Sequence, residues 1–227
     1  MLAALLRAFA ALPTPPLRRV VLLSLMLAVA SFVALWVGAA VLLDRTALFG
    51  WAALNWVVDI LGALAVLGLT WLLFPAVVTL VTGFFLERVA AAVEARDYPG
   101  QPPPRRAPLR EILATTLRLM GLTILLNLLA LPVYVLAPGI NVFLFLGLNG
   151  YLFGREYFEV VALRRLDVMT VRAVRQRFGG RVFAGGVVIA GLFALPLVNL
   201  VAPVIAIAFM VHIFQELRRR EPQFLAP

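Results

Sequence analysis

Residues 182–215 read VFAGGVVIAGLFALPLVNLVAPVIAIAFMVHIFQ, an apolar run held between Arg181 and the triplet Arg218-Arg219-Arg220. Arginines beside hydrophobic runs collect on the cytoplasmic side of a membrane, so positive charge at both ends predicts entry and exit by one face. Pro196 and Pro203 leave arms of about 14 and 12 residues, which as helix reach only some 18 to 21 Å at about 1.5 Å per residue. The hydrocarbon core is roughly 30 Å thick. A partly inserted, re-entrant helical hairpin over 182–216 therefore fits better than two crossings.

The run before it repeats the charge pattern. Residues 119–154 carry no charge and lie between Arg88, Arg96, Arg105, Arg106, Arg110 and Arg118 on one side and Arg155, Arg164 and Arg165 on the other. Pro138-Gly139 supplies a turn halfway, which predicts a second hairpin with arms marginal for spanning. Ala130-Leu131-Pro132 and Ala194-Leu195-Pro196, each followed by Ala-Pro, make an internal repeat conceivable, although an alanine- and leucine-rich chain matches itself by accident.

Nearer the N-terminus two uncharged runs, 20–43 and 60–86, are long enough to cross; the first makes about 36 Å of helix. Pro75 is tolerable in a membrane helix. The only charged residues between these runs are Asp44, Arg45 and Asp59. The positive-inside rule then puts both termini and the loops around Arg105 and Arg172 in the cytoplasm, with residues near Phe49 outside. Residues 1–12 read as an interfacial helix ending at Pro13. Residues 155–178 read as one cytoplasmic helix with a stripe of Phe158, Ala162, Leu166, Met169 and Ala173, stopped by Gly179-Gly180. The expected fold is a single all-α integral membrane domain: two long transmembrane helices plus two partly inserted helical hairpins.

Composition agrees, with 63% hydrophobic and 14% charged residues and a mean hydropathy of +1.02. The net charge of +9 comes from 20 basic residues, all arginine. Their place beside apolar runs argues for membrane loops and against a nucleic-acid partner. Zero cysteines and one histidine exclude disulfides, thiolate ligands and a multi-histidine metal cage, and no cofactor motif appears. No nucleophile-base arrangement suggests an enzyme. With no Asp or Glu inside an apolar run, a carboxylate relay for proton coupling has no candidates. His212 reads as an ordinary interfacial histidine. Asn127, Asn141, Asn149 and Asn199 read as interhelical hydrogen-bonding residues, and Glu156 and Glu159 as partners of Arg155 or Arg164.

Pro13-Thr14-Pro15-Pro16-Leu17-Arg18-Arg19 is the most suggestive stretch. Its prolines stiffen the chain where a membrane helix begins and place two arginines in the first turn. Helix N-termini attract anions, and arginine adds forked donors that match tetrahedral oxyanions. The plainer account of the same residues is a positive-inside anchor or a lipid-headgroup contact.

These residues carry a resemblance. Pro15-Pro16-Leu17-Arg18-Arg19, the segment from Glu87-Arg88-Val89 to Tyr98-Pro99, and Leu148-Asn149-Gly150-Tyr151-Leu152-Phe153-Gly154-Arg155-Glu156-Tyr157-Phe158-Glu159 together are similar to the CysZ-like sulfate permease and etoposide-induced membrane protein family. The resemblance implies two long membrane helices, two inserted hairpins and a homo-oligomer in the bacterial inner membrane, with membrane lipids around it. It also implies sulfate uptake for cysteine synthesis through an anion channel or permease, with the anion site at Leu17, Arg18 and Arg19. Pro16 stands where the family pattern has glycine, which removes a backbone donor and blocks close approach of an anion to that amide. A rival expectation is a non-transporting scaffold that binds lipid or protein partners through its arginine-rich face.

Overall fold

A computed structural model describes residues 1–45, 60–68, 70, 85–105 and 107–220. The described residues are helical with no strand: α1 (Leu2–Ala11), α2 (Pro15–Arg45), α3 (Leu86–Asp97), α4 (Leu109–Leu136), α5 (Asn141–Ala162), α6 (Val168–Arg177), α7 (Gly179–Ala194), α8 (Pro196–Asn199) and α9 (Ala202–Arg220). Residues 60–68 are helical as well. Most of the expected span 60–86, Pro75 included, and the loop near Phe49 lie outside the described residues.

Helix α9 is the core. Every residue from Ala202 to Gln215 is buried, because α1, α3, α5 and α7 all pack against it. Such a helix can be apolar on all sides, as its sequence is. Helix α1 meets it through Ala4, Ala8 and Ala11, small residues at four- and three-residue spacing that let the two backbones approach, while Leu2, Leu6 and Phe9 face outward.

Helices α5 and α7 cross even more closely. A Cβ added to Gly186 would collide with the Gly150 carbonyl oxygen and the Gly154 backbone. Contact at that range is the use of small residues in membrane helix packing, where dispersion between close backbones stands in for the weak hydrophobic drive. The sequence carried the signal, Gly150 and Gly154 four apart and Gly185-Gly186 opposite, without saying which pairs would face each other.

Two helices among the described residues are long and apolar enough to cross a membrane, Pro15–Gly38 of α2 and Leu109–Leu136 of α4. Only 22% of the apolar window of α2 and 6% of that of α4 is buried within the chain. Leucines covering the outer faces of both are what lipid rather than water would contact. The protein is an all-α membrane protein.

Several boundaries differ from those expected. The first hairpin turns at Pro138–Ile140 as its proline and glycine imply, but α4 begins at Leu109 and α5 continues to Ala162. The arms are thus not marginal: α4 makes about 42 Å of helix, because the ladder does not stop at a charge and arginines such as Arg118 can reach outward from it.

The single helix expected over 155–178 is two pieces. Arg155–Ala162 finishes α5, and Asp167 caps α6 by accepting the Met169 and Thr170 N–H groups. The break at 163–167 resets the helical phase, so Met169 and Ala173 of the expected stripe are exposed and Val171 and Val174 are buried instead. Helix α7 then leaves α6 at 89°. The apparent repeat does not hold either. Pro132 lies inside α4, whereas Leu195 is extended, at φ −92° and ψ 115°, and Pro196 starts a new helix.

Candidate anion-binding site

Helix α2 begins at Pro15 because proline, with no N–H and φ already near helical, suits the first position. Arg18 and Arg19 are therefore its fourth and fifth residues, slightly deeper than the first turn expected for both. A helix start ordinarily offers four unpaired N–H groups. Here Pro15 and Pro16 have none, the Thr14 N–H bonds to the Ala11 carbonyl at 3.0 Å, and the Arg18 N–H bonds to the Thr14 carbonyl at 2.8 Å. The Leu17 N–H alone remains without a described partner at this end.

The three residues divide by face. Leu17 is 2% exposed and plugs into the core with Val20, whereas Arg18 and Arg19 are exposed and have no ion pair among the described residues. Two unpaired guanidiniums beside one free amide can take an oxyanion through side chains, with little of the backbone cradle a glycine would add.

A second polar assembly ties the chain together. Glu94 of α3, 4% exposed, receives Arg164 Nη2 at 3.0 Å and Arg165 Nη2 at 2.7 Å, and Arg164 also contacts Glu87. Arg155 Nε donates to Glu159 at 3.0 Å, one turn along α5, as the spacing implied. Glu156 has no ion pair among the described residues. Arg164 is buried, and that burial, reinforced by neighbouring Arg165, lowers its pKa from the ordinary arginine value.

His212 is buried inside the chain rather than set on its surface. It is 2% exposed, with Nδ1 2.8 Å from the Tyr98 hydroxyl and Nε2 3.6 Å from Asp97. Burial raises the Tyr98 pKa, against the opposing pull of Arg7 and Arg219. The asparagines divide as well. Asn127 and Asn149 donate to the carbonyls of Thr123 and Phe145 in their own helices, and Asn141 bonds the Tyr134 carbonyl across the hairpin turn. Self-bonding of this kind satisfies the amide without a neighbour, which is why the expected interhelical bonds at 127 and 149 are missing. Asn199 has a buried oxygen with no partner among the described residues.

Among curated proteins and among solved structures nothing matches the chain. A family model described as "Sulfate transporter CysZ/Etoposide-induced protein 2.4" matches residues 4–203, a region that takes in the α2 start, the Glu94 assembly, the first hairpin and the second as far as the start of α9. The chain belongs to that family, one of membrane transporters rather than enzymes.

Proposed function

We propose that the protein is a sulfate channel or permease of the bacterial inner membrane, feeding sulfur assimilation and cysteine synthesis. Leu17, Arg18 and Arg19 form its oxyanion-binding site. The observation that carries this reading is the pair of exposed guanidiniums at the start of a membrane helix, with no ion pair among the described residues, beside the Leu17 N–H, which has no described partner. Membership of a sulfate-transporter family supports the ion. A conduction site must release what it binds, so the weakened cradle at Pro15-Pro16 suits passage better than storage.

The working form is a homo-oligomer with both termini cytoplasmic; the sparsely buried α2 and α4 leave surface for lipid and for a second copy. Uptake of labelled sulfate into proteoliposomes tests the function. Flux that depends on protein and saturates with sulfate is expected. Its absence, in vesicles where the protein is shown to be inserted, favours a non-transporting scaffold.

A further inference from the structure

Where α4, α5 and α6 meet, they border a partly open cavity of about 210 Å³. Three arginines line it, one from each helix: Arg118, Arg155 and Arg172, together with Thr115, Glu111 and Glu159. Both carboxylates have arginine partners, although Glu159 Oε2 is buried without a hydrogen bond among the described residues. Glu159 takes Arg155 Nε at 3.0 Å and lies 3.6 Å from Arg175 Nε, and Glu111 pairs with Arg105. Arg118 and Arg172 have no ion pair among the described residues. The Arg155 side chain is 8% exposed, and only its Nε takes part in a described hydrogen bond, so both Nη groups are unclaimed on a side chain that lines the cavity.

The charge balance is therefore positive, since each carboxylate also has a guanidinium outside the lining, Arg105 or Arg175. Arg118 is exposed, Arg172 is half-buried and Arg155 is buried against Glu159, and forked donors on three helices around one pocket match a tetrahedral oxyanion. At about 30 Å³ per water, the space holds such an ion with part of its hydration shell.

We propose that this cavity is a second oxyanion site, in which Arg118, Arg155, Arg172 and the Thr115 hydroxyl bind a sulfate-like dianion. The proposal rests on the reading of the chain as an oxyanion carrier, but on residues separate from Leu17, Arg18 and Arg19. The same chemistry is offered by a phospholipid phosphate, because Arg118 lies on the outer side of α4.

The test uses the full chain in phosphatidylcholine nanodiscs, titrated with labelled sulfate. Wild type is expected to bind at two sites per chain, with one surviving in Arg18→Gln/Arg19→Gln. Arg118→Gln/Arg172→Gln should weaken that surviving site by tenfold or more, since each charged hydrogen bond is worth about 1.5 kcal/mol or above. Thr115→Val, which leaves every charge in place, should weaken it by about fivefold. Loss of all binding in Arg18→Gln/Arg19→Gln would leave the first site standing and overturn this one. Loss of the second site only, in Arg118→Gln/Arg172→Gln, supports this proposal whatever Arg18 and Arg19 do.

Nanodiscs containing phosphatidylglycerol separate the two sources. If that lipid competes with sulfate, and its retention in native mass spectra depends on Arg118 and Arg172, the occupant is a lipid phosphate; if not, it is the free ion. Sulfate and phosphatidylglycerol binding both indifferent to Arg118, Arg172 and Thr115 would sink the proposal.

Discussion

Arg164 reaches the carboxylate of Glu94 at 3.0 Å, and both side chains are 5% exposed although they are far apart in sequence. Together with Arg165 they lock α3 to the α5–α6 turn, and the Arg105 N–H fastens the intervening proline segment to the Arg164 carbonyl at 2.8 Å. Removing one member of a buried pair leaves the other charge uncompensated, which typically costs about 3 to 5 kcal/mol.

Glu94→Ala should therefore lower the thermal unfolding midpoint of the purified protein sharply, and Glu94→Gln should do so by less. A midpoint within a degree or two of wild type for Glu94→Ala would show that water reaches the two arginines and that the lock is not a buried one.

The glycine crossing of α5 and α7 makes a sharper contrast. Gly186→Ala should prevent stable folding or force the helices apart, because the added methyl meets backbone on the other side rather than a movable side chain. Gly191→Ala, in the same helix with nothing within 4 Å of the added carbon, should be neutral or stabilising by up to about 1 kcal/mol. Equal melting behaviour of the two variants would refute the close crossing.

At the α2 start, Arg18→Lys/Arg19→Lys is expected to insert normally and lower sulfate flux, since lysine keeps the charge but loses the forked donors. The glutamine pair should lower flux further. Pro16→Gly restores an N–H and is expected to tighten sulfate binding by several-fold, one added donor to an anion being worth about 1.5 kcal/mol. Correctly inserted glutamine variants that carry sulfate at the wild-type rate would reduce the arginines to anchors.

Orientation is open to labelling because the chain has no native cysteine. A cysteine at position 49 should react with an impermeant reagent added outside intact cells, and one at 172 only after permeabilisation. A cysteine at 199 should resist reagent from outside if the tip near Leu197 turns within the membrane. Outside labelling at both 49 and 172 would reject the proposed topology.

Asp167 adds a pH dependence. Its bonds to the Thr170 hydroxyl and N–H hold its carboxyl below the ordinary aspartate value of 3.8. The cap's contribution is thus complete above that value and lost as pH falls through the lower folded one. Asp167→Ala should cost about 1 kcal/mol at neutral pH, and its deficit against wild type should shrink only in strong acid. A deficit that already disappears near pH 5 would mean the cap is not made in solution.

The sequence by itself determined what depends on short stretches of chain. The membrane class follows from run lengths, the hairpin turn from Pro138-Gly139, and Arg155 as one of two candidate partners for Glu156 or Glu159 from helical spacing. Each of these is a local property that survives whatever packs around it. Tertiary structure decided the rest: the all-round burial of α9, the Gly186–Gly150 contact, the Glu94 lock and the convergence of Arg118, Arg155 and Arg172. It also gave two similar Ala-Leu-Pro motifs opposite fates, one inside a helix and one breaking it. These outcomes depend on which faces of distant helices meet. Hydrophobic periodicity leaves that choice open when a helix such as α9 is apolar on every side, and shape and charge matching between helices makes it.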